Sequence, residues 1–154
     1  MRVLGVDIGL ARTGLALSDP LGISVRGLPT LTPASRAKDV AHLVALVDEH
    51  AVERVVIGLP LLPVTGDDGM MARRVRGFAR ALALALDARG AQVHLLDETG
   101  SSKEAARALV ARGVKASKRR ALLDTEVACS LVERFLCGEQ GELVLARAND
   151  DAEA

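Results

Sequence analysis

The chain has no tryptophan and no tyrosine, and only two phenylalanines, Phe78 and Phe135. Both fall inside helical apolar patterns, so base-stacking platforms of the kind that hold single-stranded nucleic acid are excluded. A nucleic acid bound here is read through its backbone and shape. Net charge is missing too: 20 basic residues balance 20 acidic ones. Attraction to a polyanion must therefore come from local clusters, since the whole-molecule field supplies none. There are two cysteines, Cys129 and Cys137. Their helical spacing puts them on a similar face but too far apart for a disulfide, so both are expected as buried or free thiols. The opening MRVLGVDIGL has one arginine and then an acid, with no apolar run of signal or membrane-spanning length. A cytoplasmic protein without a membrane association is expected.

What is present is ordinary for a globular protein. Apolar residues make up 49% and charged residues 26% of 154 positions, which excludes disordered and collagen-like chains and suits one domain. Residues 1–138 are read as that domain and residues 139–154, ending in NDDAEA, as an acidic, flexible tail.

Arg2 to Ile8 reads as a central strand that ends in Asp-Ile-Gly, and Thr13 to Ser18 as its hairpin partner. Asp19-Pro20-Leu21-Gly22 is a turn, and residues 23 to 31 form a third, weaker strand. Val40, Leu43, Val44 and Val47 recur at helical spacing, with Thr32 or Ser35 as cap and an end near His50. A buried strand follows at Arg54 to Ile57, then a turn segment, VTGDDG, and a long helix from Met70 to Ala88 stopped by Gly90. Gln92 to Leu96 is a fifth strand that runs into Asp97-Glu98. A helix from Ser101 to Val110, a basic loop from Lys115 to Arg120 and a final helix from Leu122 to Leu136 complete the order βββαβαβαα. That order implies an α/β fold with a mixed five-stranded sheet, three strands antiparallel and the rest parallel, flanked by helices.

Three acids carry the chemistry. Asp7 lies inside an apolar strand, where a carboxylate is costly unless a metal or a hydrogen-bond network compensates it. The bland alternative is satisfaction by neighbouring amides. Glu98, beside Asp97, sits at the carboxyl end of a strand, where α/β sheets place ligand sites; the competing reading is a cap for the next helix. Asp124 aligns with Ala128 and Leu131 on the inward face of the last helix, with charge compensation at a helix N-terminus as its alternative. Acids from three separate elements suit hard divalent cations. Two such ions roughly 3.5–4 Å apart can activate water on one side of a phosphorus and steady the leaving oxygen on the other. Mg²⁺ and Mn²⁺ both suit such ligands, whereas His42, His50 and His94 are scattered and no Cys/His spacing points to zinc.

Two basic clusters accompany the acids. Arg73, Arg74, Arg76 and Arg80 lie on the long helix, where phosphate contact and a solvated face are equally good readings. Lys115, Lys118, Arg119 and Arg120 precede Asp124, and for these phosphate contact is the better one.

Gly5-x-Asp7-x-Gly9-x-x-Arg12-x-Gly14-x-Ala16-x-Ser18-Asp19, then Val56-Ile57-Gly58-Leu59-Pro60, Asp97-Glu98-x-x-Ser101-Ser102 and Lys118-Arg119 followed by Asp124 together resemble the bacterial YqgF/RuvX family. Its members are Holliday-junction-resolvase-like and are also described as pre-16S rRNA nucleases. The resemblance runs from about residue 1 to 137, with the four motifs in order. It implies a ribonuclease H-like fold, a cytoplasmic location, magnesium or manganese, and trimming of the 5′ end of the 16S rRNA precursor. DNA-junction resolution is the alternative activity assigned to the family. Its active-site acids fall on Asp7, Glu98 and Asp124, and Arg12 with Lys118 or Arg119 would hold flanking phosphates. Two departures stand out: Thr99 and Gly100 replace an arginine and a large residue, and Val127-Ala128 replaces two alanines.

The expectation is a metal-dependent nuclease on structured RNA, with branched DNA as second substrate, acting as monomer or homodimer. A noncatalytic nucleic-acid-binding or ribosome-assembly factor is the competing class. An actin-like kinase would need a second lobe and adenosine-binding segments not found in these residues.

Overall fold

The computed structural model describes residues 1–62, 64–98 and 100–146. Six strands, β1 (Val3–Ile8), β2 (Thr13–Ser18), β3 (Val25–Leu31), β4 (Arg54–Leu59), β5 (Gln92–Asp97) and β6 (Glu142–Val144), form one sheet in the order β3-β2-β1-β4-β5-β6. β1, β4 and β5 run parallel, while β2 and β3 continue as an antiparallel meander and β6 is antiparallel to β5. Four helices cover the faces: α1 (Arg36–His50), α2 (Met70–Leu86), α3 (Ser101–Ala111) and α4 (Ala116–Leu136). The mixed α/β fold agrees with the sequence reading, and so do the positions of the first five strands to within a few residues. Among the described residues no helix is long and apolar enough to cross a membrane.

Strand periodicity divides the core in two. Leu4, Val6, Leu15, Leu17 and Ile57 pack on one face against Leu43 and Val47 of α1 and Leu82 and Leu86 of α2. Their neighbours Val3, Ala16, Val56 and Leu96 face Val127, Ala128, Leu131 and Val132 of α4. Side chains alternate along a strand, so Gly5 and Asp7 belong to this second face.

Helix α4 sits unusually close to the sheet. Gly5 pairs with Ala16 and Ala16 with Gly27, a row of the smallest residues across three strands. A Cβ placed on Gly5 would lie 2.5 Å from the Ala128 carbonyl oxygen and 2.6 Å from Val132 Cγ2. One on Gly27 would strike Thr125 Cγ2, and one on Gly14 the Asp124 carbonyl. Glycine weakens an isolated strand, and here the compensation is close approach of a helix backbone.

Two expectations need correction. The basic segment Lys115 to Arg120 is not a loop: Lys115 is the N-cap of α4, and residues 116–120 form the start of the helix. Lysine and arginine are good helix formers, and no Gly or Pro interrupts 116–136; an apolar pattern that begins only at Leu122 hid the start. The sheet has six strands where five were expected. The sixth comes from within 139–154, and its three residues are too few to show a period in sequence. Gly141 (φ 58°) turns the chain into β6 where a Cβ would meet the Leu95 carbonyl, and Glu142 is tied to Arg76 at 2.8 Å. The NDDAEA end lies outside the described residues.

Both cysteines are free. Burial pushes the half-buried Cys129 thiol up to about 11, which makes it a poor nucleophile at neutral pH.

Gly5→Ala is expected to lower the melting temperature by about 4–10 °C, the result of overpacking by about 2–3 kcal/mol. Calorimetry of the two proteins checks it, and equal melting temperatures would contradict the close packing of α4.

Candidate active site

Asp7 lies on the α4 side of β1 near the carboxyl ends of the parallel strands. The β1–β4 register pairs Val6 with Ile57, which brings Asp7 beside Gly58. On the far side of β4, the register pairs Gly58 with Leu96, so Glu98 emerges one step beyond β5 on the same face. Asp7 and Glu98 are thus two strands apart, a gap of about 10 Å between backbones. Gly58 makes the crossing possible, since a Cβ there would strike Glu98 Oε2 and come within 2.7 Å of its Cδ. The Glu98 side chain lies over this notch and hydrogen-bonds to Asp7.

The two carboxyls share a proton. Burial, then the hydrogen bond with Glu98 and the charge of Asp124, leave the Asp7 carboxyl raised to about 6, the hydrogen bond alone acting downwards. Glu98 is pushed up to about 8 by burial, by the charge of Asp7 and by the same hydrogen bond, with Arg134 opposing. Burial and the charge of a neighbouring acid thus hold both carboxyls above the ordinary range.

Asp124 belongs to the ninth position of α4, well past the first turn, which removes the helix-dipole reading. It is near enough to raise Asp7, but its carboxylate accepts from Arg12 Nε at 3.1 Å. Arg12 Nη2 also donates to the Arg120 carbonyl at 3.4 Å, so the β1–β2 turn is laced to α4. The three acids converge on one end of the sheet, yet they are not equally ready. Asp7 and Glu98 form a pair, Asp124 is held by Arg12, and among the described residues no three carboxylate, histidine or cysteine groups are arranged to hold an ion.

Of the expected phosphate contacts, Lys115, Lys118 and Arg120 are exposed and Arg119 is half-buried. Among the described residues none of the four forms an ion pair. They gather at the positive end of the α4 dipole without a side-chain cap, an arrangement unfavourable for the helix alone and favourable for an anion. Arg12 is occupied by Asp124.

The cap reading of Glu98 fails, because α3 starts from Gly100 with no side-chain cap bond. Gly100 has φ 80°, a left-handed conformation in which a large residue would be strained. Thr99 lies outside the described residues. Two contributors escaped the sequence reading. Gly58 carried a signal, a glycine within a buried strand, but only the β5 pairing reveals what it accommodates. Arg134 carried none: it donates to the Asp97 carbonyl at 2.8 Å and puts a positive charge near Glu98, across a contact that no spacing encodes.

Two outcomes follow from this geometry. Both carboxyls bind protons more tightly folded than unfolded, so their contribution to stability is fully present below about pH 4 and fades as pH rises through 6 towards 8. Glu98→Gln should flatten that decline and raise the metal-free melting temperature at pH 8 by about 2–6 °C, measured by a pH series of melts. Gly58→Ala should fold, because only the end of a flexible side chain must move. With the carboxylate displaced by about 1 Å or more, it should lose about 100-fold in any metal-dependent cleavage relative to the parent protein; undiminished turnover would show that the notch has no bearing on the reaction.

The family profile described as "Holliday junction resolvase" (RuvX) matches residues 1–138. A protein of Anaeromyxobacter dehalogenans (strain 2CP-1 / ATCC BAA-258) named "Putative pre-16S rRNA nuclease" is 40% identical over 136 residues, which cover 88% of this chain and 96% of that one. One of the same name from Syntrophus aciditrophicus (strain SB) is 37% identical over 154 residues, the whole of both chains. Among solved structures, RuvC of Thermus thermophilus in complex with a Holliday junction substrate superposes with a TM-score of 0.59 at 20% identity, covering 94% of this chain and 99% of that one. Fowlpox virus resolvase with Holliday junction DNA superposes at 0.55 with 10% identity, over 88% and 97%. At those identities the likeness concerns the fold, which is ribonuclease H-like. With its acids at the carboxyl edge of such a sheet and its first 138 residues matched, this chain belongs to the RuvX family.

Proposed function

We propose that this protein is a cytoplasmic, divalent-metal-dependent nuclease that hydrolyses phosphodiester bonds in structured RNA, in 5′-end maturation of the 16S rRNA precursor. The observation that carries the reading is the Asp7–Glu98 pair, two carboxyls brought together across β4 and sharing a proton that a cation can replace. The relatives named for pre-16S rRNA cleavage, alike over 88% and 100% of the chain, support the substrate.

The donor set fits Mg²⁺ or Mn²⁺. It is made of oxygen ligands only, it is partly withdrawn from water, and like charges raise its affinity for a cation. Asp7 and Glu98, with Asp124 once it is released from Arg12, would hold the ions. Bound there, the metal supplies Lewis-acid activation of water and neutralises charge at the phosphorus. The chain's own groups do the rest. Arg12 holds Asp124 until a substrate phosphate competes for the guanidinium, and the carboxylate is then free to join the pair. Lys115, Lys118, Arg119 and Arg120 bind phosphates beside the acids. To hold a cation Glu98 would have to be ionised, its proton passing to solvent.

Purified protein with manganese is expected to shorten the 5′ end of a precursor rRNA and to leave a four-way DNA junction uncut under the same conditions. Asp7→Asn should reduce the rate by at least about 1000-fold, comparable to loss of a principal electrostatic group. Equal cleavage by the variant would refute the assignment of the acids, and cleavage of the junction alone would move the substrate to branched DNA.

A further inference from the structure

On the opposite face of the sheet, at the same end, a cavity of about 240 Å³ opens beside the β1–β2 turn. Ile8, Leu31 and Phe78 line it together with Thr13, and Arg36 and Arg74 belong to its wall. The space is below the usual range for a drug-sized ligand or cofactor, and its composition is an apolar body with a few polar groups. Thr13 is only 5% exposed, and its hydroxyl has no hydrogen-bond partner among the described residues. A hydroxyl in the wall of a cavity offers one donor and acceptor to whatever enters.

Arg36 and Arg74 also belong to a groove along α2 that continues to Arg73 and Arg80. The Arg36 guanidinium reaches over α2 at Gly77, where a Cβ would come within 2.7 Å of its Nη2. Arg76, in the same groove, is neutralised by Asp68 and Glu142. Among the described residues Arg36, Arg73, Arg74 and Arg80 form no ion pair or side-chain hydrogen bond. The one acid in the cavity wall, Asp39, accepts from the Ala34 N–H at 3.1 Å. Four uncompensated arginines lead away from a cavity that has Gly9, two residues from Asp7, in its rim.

We infer that this groove is a second nucleic-acid subsite, which receives a single-stranded flank of the substrate: one unstacked base occupies the cavity, and its neighbouring phosphates run along Arg36, Arg74, Arg73 and Arg80. The inference rests on the nuclease reading and adds to it a substrate with an unpaired segment next to the cleaved bond. The basic start of α4 lies on the other face of the sheet, so the acids stand between two cationic surfaces, one for the structured part and one for the strand that leaves it. A single enclosed base is compatible with a chain so poor in aromatics, because a pocket holds a base by enclosure where an open platform needs stacked rings.

The test is binding without turnover, in EDTA, by fluorescence anisotropy with two labelled RNAs: a blunt stem-loop, and the same stem-loop with a ten-nucleotide single-stranded extension. The extension is expected to tighten binding by the wild-type protein about tenfold, and Arg36→Ala/Arg74→Ala to abolish that gain while leaving the blunt stem-loop unaffected. The salt dependence of flanked-RNA binding should become shallower by about 1.4 in log–log slope, two single-strand phosphate contacts at about 0.7 each. 2-Aminopurine scanned through the extension should change fluorescence at one position, and Thr13→Val should weaken that response. Both arginines are exposed, and melting curves verify that the variants fold. Equal affinity of wild type for the two RNAs, or an intact gain in the double variant, overturns the subsite and leaves the nuclease reading standing. Failure of the wild type to bind either RNA overturns both.

Discussion

Everything at this site depends on a carboxylate crossing a strand. Asp7 and Glu98 leave β1 and β5 with β4 between them, and any side chain at position 58 would fill the space through which they meet. The meeting is unfavourable for the protein alone. Two acids, partly removed from water, retain one proton between them near neutral pH, and both are held above the ordinary carboxylate range. A folded chain keeps such a pair only where the surrounding sheet over-determines it, and here two core strands impose the register from both sides.

The third acid depends on a second set of missing side chains. Gly5, Ala16, Gly27 and Gly14 allow α4 to lie almost on the backbone of the meander, and that closeness brings Asp124 within reach of Asp7 and Arg12. Glycine thus serves two purposes on one face: it seats a helix and it admits a carboxylate. On the other face the strands have large aliphatic residues packed against α1 and α2, and near the sheet's end a cavity opens, bordered by arginines.

Cationic groups around the acids differ in their availability. Arg12 is engaged with Asp124, Arg134 with the Asp97 carbonyl and Glu139, and Arg76 with Asp68 and Glu142. Lys118, Arg119 and Arg120 on one side, and Arg36 and Arg74 on the other, remain unpaired among the described residues. The paired arginines organise the scaffold, and the unpaired ones are those a phosphate can claim without first displacing a carboxylate.

The sequence by itself determined which residues could share a face. Alternation in β1 put Asp7 with Gly5, opposite Leu4 and Val6, and helical spacing put Asp124 with Ala128 and Leu131; both follow from local geometry that any strand or helix obeys. Its motifs, in register over most of the chain, also pointed to the family and to the three acids as a set. Strand order was beyond its reach, because order is a property of pairing between distant segments. Only the tertiary structure decided that β4 separates Asp7 from Glu98 and that Gly58 is the notch between them. The pairing of Arg12 with Asp124, the sixth strand at the edge, and the union of Arg36 with the α2 arginines are likewise contacts across tens of residues, set by packing that no local pattern records.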